Sequence, residues 1–382
     1  MTARYNNFAP ILLGLSFGLG YATQWRIGGV FGPSEFLMMV YLLGSYLNYQ
    51  LKIFSLHDKF LFPLLFFQLL IITPIVTIAV LFTTELRVNP EYIIHYGLIF
   101  FLMSAWYLDL KNGFNSILFT KIFFYTFIIS IGLAFFSLGN WSTSTASGFA
   151  FSRFTAWAIN PNTPIFYALS LMVLVSLFLK KNTLLYIIAI VLTCFPMGSD
   201  TFILSIVIAS LVYFYSLIIP LKKISPVTYI AFTLIVFFVS LYTILWNFSE
   251  DLVSLWLAAD IGNARVKLLT SGFEFATTSP ILGHGYGGYA TLLGRQRWEA
   301  HSTFVDLFLY FGLILPTIIY ITYFRFVGYL IKNSNIAGLA FLTAFIATTM
   351  FHFLGRHYVF WFVFILLYYV LESATKPKRE LI

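Results

Sequence analysis

Charge is the scarcest thing in this sequence. Asp, Glu, Lys and Arg together make up 9% of its 382 residues, against about 25% in an ordinary water-soluble domain. With 60% of the residues hydrophobic, that deficit excludes an aqueous fold. Cysteine is nearly absent too. Cys194 stands alone inside an apolar run, so neither a disulfide framework nor a cysteine metal cluster can be built. No metal or cofactor is expected, and no nucleic-acid partner. There is no low-complexity tract, no convincing internal repeat and no evident cleavable signal peptide. The first apolar run, Phe8 to about Trp25, has weak basic flanks and leads into further spans, so it reads as the first span.

What the chain has in quantity is apolar runs of the length a helix needs to cross a bilayer, about 20 residues. Inside lipid each segment must satisfy its own N–H and C=O groups, so runs of this length are helices. A membrane barrel would show shorter, alternating segments. The expected fold class is therefore all-α, a single polytopic domain over residues 1–382 with about twelve spans. The spans are placed at 8–25, 34–54, 61–84, 93–110, 115–138, 161–179, 183–197, 201–220, 226–246, 303–324, 336–354 and 358–374. Two connections are long, 139–160 and 247–302.

The basic residues sort by side. Short cytoplasmic loops accumulate Lys and Arg, which places both termini in the cytoplasm. The inside connections then hold Lys52, Lys59, Lys111, Lys180, Lys181, Lys222, Lys223, Arg325 and Lys332. The outside holds arginine: Arg26, Arg87, Arg153, Arg265, Arg295, Arg297 and Arg356, with Lys267 the one lysine. Arginine is a planar, permanently charged fork that binds phosphate in a bidentate way. An arginine-decorated external face suggests an anionic ligand such as a lipid phosphate. For Arg26, Arg87 and Arg356 taken singly, contact with ordinary headgroups explains the residue equally well.

The first long loop carries Arg153 among Phe151, Phe154 and Trp157, then Asn160-Pro161-Asn162. Pro161 suits a first helical position with Asn160 as its N-cap. Aromatics beside polar groups hold a sugar face or mark a membrane interface, and the residues do not separate the two. The second loop is too long to be structureless in a packed fold. Leu252, Leu255 and Trp256, then Val266, Leu269 and Phe273, supply apolar faces for an external amphipathic helix, with Arg265 and Lys267 among them. Next comes Ser279-Pro280-Ile281-Leu282-Gly283-His284-Gly285-Tyr286-Gly287-Gly288. Glycines at this density let the backbone approach a ligand closely.

His301 directly precedes the tenth span, at the mouth of the membrane. It is either a capping residue or a base that accepts a proton from a sugar hydroxyl. His284 reads as a packing residue. His352 and His357, flanking Arg356, could join the same cavity, while His57 and His95 are given no role. Acidic groups at membrane depth are expensive and usually functional. Asp306 either orients His301 or pairs with an arginine, and pairing is the favoured reading. Asp109 lies near a cytoplasmic end and needs no special role.

The order Arg265, then Pro280-Ile281-Leu282-Gly283-His284-Gly285, then Ala300-His301-Ser302, then Phe311-Gly312-Leu313 resembles the signature of the bacterial O-antigen ligase and polymerase superfamily. Asn160-Pro161-Asn162 after Arg153 is similar to that family's earlier external loop. Two positions depart from its pattern. Ser302 stands where an Asn usually follows the histidine, and Ser199-Asp200 stands where the turn often reads Ser-Arg.

The resemblance implies glycosyl transfer at the outer face of a bacterial inner membrane, without metal or cofactor. The donor would be an oligosaccharide on undecaprenyl pyrophosphate. Arg265 and His301 would be catalytic. Arg153, Arg297, Arg356, Asn162, Gly283, Gly285 and Asp306 would hold the pyrophosphate and glycan. Partners would be that lipid-linked donor and the surrounding membrane lipids, with a chain-length regulator protein left open. Polymerase is preferred. A ligase moving the finished polymer to lipid A–core would use the same donor chemistry. A lipid-linked oligosaccharide flippase would be expected to have short loops and basic residues within its spans, the reverse of what is seen here.

Overall fold

A computed structural model describes residues 2–27, 31–49, 61–83, 91–137, 141–144, 151–158, 162–197, 199–218, 225, 228–229, 261–286, 300 and 302–375. The apolar runs do form helices: α1 (Thr2–Leu19), α2 (Pro33–Tyr49), α3 (Leu61–Phe66) and α4 (Thr73–Thr83), α5 (Glu91–Lys111), α6 (Ser116–Phe136), α7 (Thr163–Phe178), α8 (Thr183–Cys194) and α9 (Asp200–Ile218). After these come α10 (Ile261–Ala276), α11 (Thr303–Phe311), α12 (Ile314–Lys332), α13 (Ile336–Phe351) and α14 (Tyr358–Thr375). A π-helical stretch, Phe67–Ile72, joins α3 to α4. The described strands are one short antiparallel ribbon, β1 (Trp141–Ser144) and β2 (Phe151–Phe154).

Among the described residues, five helical segments are long and apolar enough to cross a membrane: Leu61–Phe82, Tyr92–Lys111, Ser116–Phe136, Lys180–Met197 and Ile314–Lys332. The other apolar helices are shorter. The ninth expected span, 226–246, lies almost wholly outside the described residues.

Close packing explains how α1 meets α6. Gly14 and Gly18 lie one helical turn apart, and a Cβ on either would fall 2.7 Å from Ile122 Cβ or 2.4 Å from Thr126 Cβ. Small residues spaced this way let two helix backbones approach where no water is present to drive association. Helix α14 runs beside α5, and α13 lies against α7 and α9. Buried hydroxyl pairs link elements as well, Ser205 with Thr348 at 2.7 Å and Tyr320 with Thr349 at 2.7 Å.

The tenth expected span, 303–324, is corrected. It is two helices with a break at Gly312, whose φ is +76°. The cause is the Gly-rich motif. A Cβ on Gly312 would stand 2.1 Å from the Ile281 carbonyl oxygen, and a Cβ on Gly283 would stand 2.5 Å from the Tyr310 carbonyl oxygen. Two bonds sew the segments together, His284 N–H to Leu309 O at 2.6 Å and Leu313 N–H to Pro280 O at 2.8 Å. Gln68, in the π-helical stretch, donates to Phe311 O at 2.6 Å. That carbonyl belongs to the last turn of α11, which has no intrahelical donor of its own. The segment here that is long and apolar enough to cross a membrane is Ile314–Lys332.

Candidate functional site

Arg26 follows a single 3-10 turn, Thr23–Trp25, at the end of α1. The chain then doubles back through paired bonds between Ile27 and Phe31 and enters α2 at Pro33. Proline suits the first helical position, and a Glu two places later can reach back to the capping amide. Glu35 does so. Its Oε2 accepts from Gly32 N–H at 3.0 Å, while its Oε1 meets Arg26 Nη2 at 2.5 Å. The pair is largely buried, with side-chain exposures of 18% for Arg26 and 4% for Glu35.

The same end of the bundle gathers the starts of α5, α7, α11 and α14. His95, in the first turns of α5, pairs through Nε2 with the Arg356 carbonyl at 2.9 Å and through Nδ1 with the Tyr358 hydroxyl at 3.2 Å. Thr303, the first residue of α11, donates to His352 O at 2.6 Å and accepts from Leu354 N–H at 2.8 Å. The turn carrying His352, Arg356 and His357 is thereby tied both to α5 and to the segment after position 301. The ring of Phe166 in α7 lies 5.4 Å from both His352 and His357. The charges of Arg26 and Arg356 both act on His95 and His357.

His357 is buried, and its Nε2 has no hydrogen-bond partner among the described residues. Burial, then the nearby Arg356 and Arg26 charges and His95, hold its imidazole well below the ordinary histidine range. The neighbouring Tyr167 hydroxyl is also buried and unpartnered, and its ring lies 5.9 Å from that of His357. Fully buried polar atoms without partners are rare; Trp106 Nε1 and Tyr323 Oη are two more among the described residues.

Asp306 binds backbone amides on either side of position 301. Its Oδ1 accepts from Ala300 N–H at 2.8 Å and its Oδ2 from Ser302 N–H at 3.2 Å, so one carboxylate holds the backbone on both sides of position 301. His301 and Arg297 lie outside the described residues, as do Asn160, Pro161, Arg87 and Arg295. Arg265 is on α10, which packs against α11 through Phe273 and Phe308 at 6.1 Å between ring centres. Arg153 is on β2, opposite Ser142.

Asn162 accepts from the Ser199 hydroxyl at 2.8 Å and stands as the N-cap of α7, with Pro164 in the first turn. The expected start at Pro161 is two residues early. Gly283 and Gly285 approach protein rather than open space, because the Cβ positions meet Tyr310 and Gly312 backbone in one case and Thr77 in the other. His284 packs as expected, stacked 3.9 Å from the Phe275 ring with Nε2 set against Phe275 O and Thr278 Oγ1. Burial lowers its basicity, partly offset by that carbonyl.

Beyond the ribbon, the backbone takes φ +49° at Ala156 and +62° at Trp157. Left-handed conformations are costly for residues with a Cβ. Here they lay the Trp157 ring on Trp25 at 4.3 Å, and the indole N–H donates to Ser137 Oγ at 3.1 Å. Gln24 N–H then bonds Trp157 O at 2.9 Å, fixing the first long loop against the Arg26 turn.

Glu35, His95, Tyr167 and Tyr358 were not singled out from the sequence as site residues. One available signal was a His inside an apolar run, which is costly enough to need a reason. No protein-family model matches the chain, and no curated protein matches it.

Proposed function

We propose that the chain is a polysaccharide polymerase of a bacterial inner membrane. It would cross the bilayer about twelve times, with both termini in the cytoplasm and the arginine-bearing end facing the periplasm. It would join oligosaccharide repeat units carried on undecaprenyl pyrophosphate. The reading rests first on the motif order around Arg265, Gly283 and His301. The observation that supports it is the meeting of Arg26 and Arg356 with buried imidazoles beside a carboxylate clamp around position 301.

The acceptor hydroxyl oxygen attacks the anomeric carbon of the donor sugar. The bond from that carbon to the pyrophosphate oxygen breaks, and the leaving group keeps the electron pair. Arg265 and Arg153 neutralise the departing pyrophosphate, helped by Arg297 and Arg356. His301 takes the hydroxyl proton. Asp306 contributes by holding its backbone still. A donor with a polyprenyl tail enters sideways from lipid, which suits a site under an amphipathic helix such as α10. A ligase would run the same steps onto lipid A–core. The departure from the Ser-Arg turn at Ser199-Asp200 favours the polymerase.

Arg265→Ala and His301→Ala should each abolish polymer formation while the protein still inserts into the membrane. Full activity in both variants contradicts the assignment.

A further inference from the structure

The segment Leu61–Phe82 holds a polar group that the chemistry above does not use. Gln68 is buried, at 4% exposure, and polar side chains inside a span are costly and usually functional. It sits in the π-helical stretch, a geometry frequent at functional sites. In that register Thr73 N–H bonds Gln68 O, five residues back. Leu69 O would then look to residue 74, which is a proline and has no N–H. The Tyr286 hydroxyl supplies the missing donor, bonding Leu69 O at 3.2 Å.

Help runs the other way as well. Gln68 Nε2 donates to Phe311 O at 2.6 Å, with Thr73 Oγ1 3.3 Å away. Other carbonyls at the end of α11 are met in the same place, Phe308 O by Gly312 N–H at 2.9 Å and Leu309 O by His284 N–H at 2.6 Å. Tyr286 is locked in turn. Its N–H donates to Thr77 Oγ1 at 3.0 Å, and its ring stacks on Tyr96 with centres 4.8 Å apart. A Cβ on Gly285 would stand 2.9 Å from Thr77 Cα, so the loop lies directly on the backbone of α4. Helix α11 has only 9 residues, too few to be stable without its packing, and the break at Gly312 uncouples its direction from α12. Thr303 ties its first turn to the His352 turn, and the Gln68–Tyr286 contact fixes its last. Between them Asp306 bonds the amides on both sides of position 301.

We propose that Gln68 and Tyr286 form a reciprocal clamp that fixes α11 and, through Asp306, the backbone at position 301, which makes both of them positioning residues for glycosyl transfer. This rests on the reading that His301 takes the acceptor proton. Each side of the clamp satisfies a carbonyl that the irregular helix on the other side leaves open. Its action on the reaction is indirect. A displacement of about 1 Å at a reacting group costs on the order of a hundredfold in rate, so bonds at the far end of α11 reach turnover without touching the sugar.

The test uses the full chain purified in detergent, with lipid-linked repeat units extracted from a strain lacking this protein as the substrate. Gln68→Met keeps the length of the side chain without its donors. Tyr286→Phe keeps the stacked ring without its hydroxyl, and it carries the same test should Gln68→Met fail to fold. Each should lower kcat per folded molecule about tenfold and leave KM unchanged, the mark of an interaction felt only in the transition state. Hydrogen exchange at the Ala300 and Ser302 amides should be faster in both, while exchange along α1 and α6 stays as in the wild type. Ser205→Ala is the control. It breaks a buried hydroxyl pair with Thr348 elsewhere in the bundle and should leave both readouts unchanged. Wild-type kcat or wild-type exchange at Ala300 and Ser302 in the folded variants overturns the proposal, as does an equal loss of kcat in Ser205→Ala. Exchange does not depend on glycosyl transfer. Faster exchange in the variants beside a wild type that transfers no sugar upholds the clamp and defeats the enzymatic reading alone.

Discussion

Helices α5 and α14 lie side by side and carry polar groups at both ends, and the two ends are built on different principles. At one end Tyr41 donates to Asp109 Oδ2 at 2.5 Å, Tyr107 donates to Glu372, and Lys111 sits 4.4 Å over the Tyr107 ring. Each carboxylate there has a hydroxyl from another helix. Fourteen residues back along α5, about 21 Å away, His95 and Tyr358 pair beside Arg26, Arg356, Tyr167 and His357. That end holds two adjacent buried polar atoms, His357 Nε2 and Tyr167 Oη, with no partner among the described residues. A satisfied buried network specifies how helices dock. We assign the first set to the fold and the second to the proposed site.

Between the two ends, the largest effect is expected from Arg356→Ala, which should cut polymer formation about a hundredfold through the lost charge at the leaving group, measured as product per inserted molecule. At the opposite end Tyr41→Phe should leave that quantity unchanged. It should instead lower stability in detergent by about 2 kcal/mol, since Asp109 loses a hydrogen bond to a buried charge. Equal activity losses in the two variants would erase the distinction between the ends. A smaller contrast sets Tyr167→Phe against Tyr107→Phe in the ligand-free protein. The first removes an unpaired hydroxyl and should be neutral or stabilising by about 1 kcal/mol, whereas the second should destabilise by a similar amount, as read by thermal unfolding.

The smallest effect is in the pH response. His357 is held neutral in the fold by burial, by Arg356 and Arg26, and by His95. Its folded basicity lies below its unfolded value, so the unfolded chain binds the extra proton. Stability should therefore be full above about pH 6.5 and fall as the pH drops below it. In His357→Gln that acid-side slope should be shallower, and an unchanged slope would show that another group sets it.

Helix positions were legible because hydropathy is a local property. The expected 93–110 and 115–138 became Glu91–Lys111 and Ser116–Phe136, the latter opened by Asn115 accepting from Leu118 N–H at 2.9 Å. The break at Gly312 was not legible, because it depends on carbonyls of Pro280 and Ile281 that arrive from another segment. A sum over neighbours in sequence reads straight through it. The site divides the same way. Arg356 and the histidines beside it announced themselves by type and side of the membrane. Glu35 acquires meaning from the fold of the turn that returns it to Arg26, and Tyr167 from His357, far along the chain. Asp306 was recognised as important, but the direction of its bonds, to backbone amides around 301, is a matter of local geometry that residue type does not encode.

The most direct measurement is a lipopolysaccharide gel of a strain lacking this protein, run beside the same strain carrying the wild-type chain. The account predicts core bearing a single repeat unit, with the ladder gone and then restored. Bare core with long glycan still built on the polyprenyl carrier would make the chain a ligase. An unchanged ladder, or repeat units trapped on the cytoplasmic side, would contradict glycosyl transfer at the arginine-bearing end.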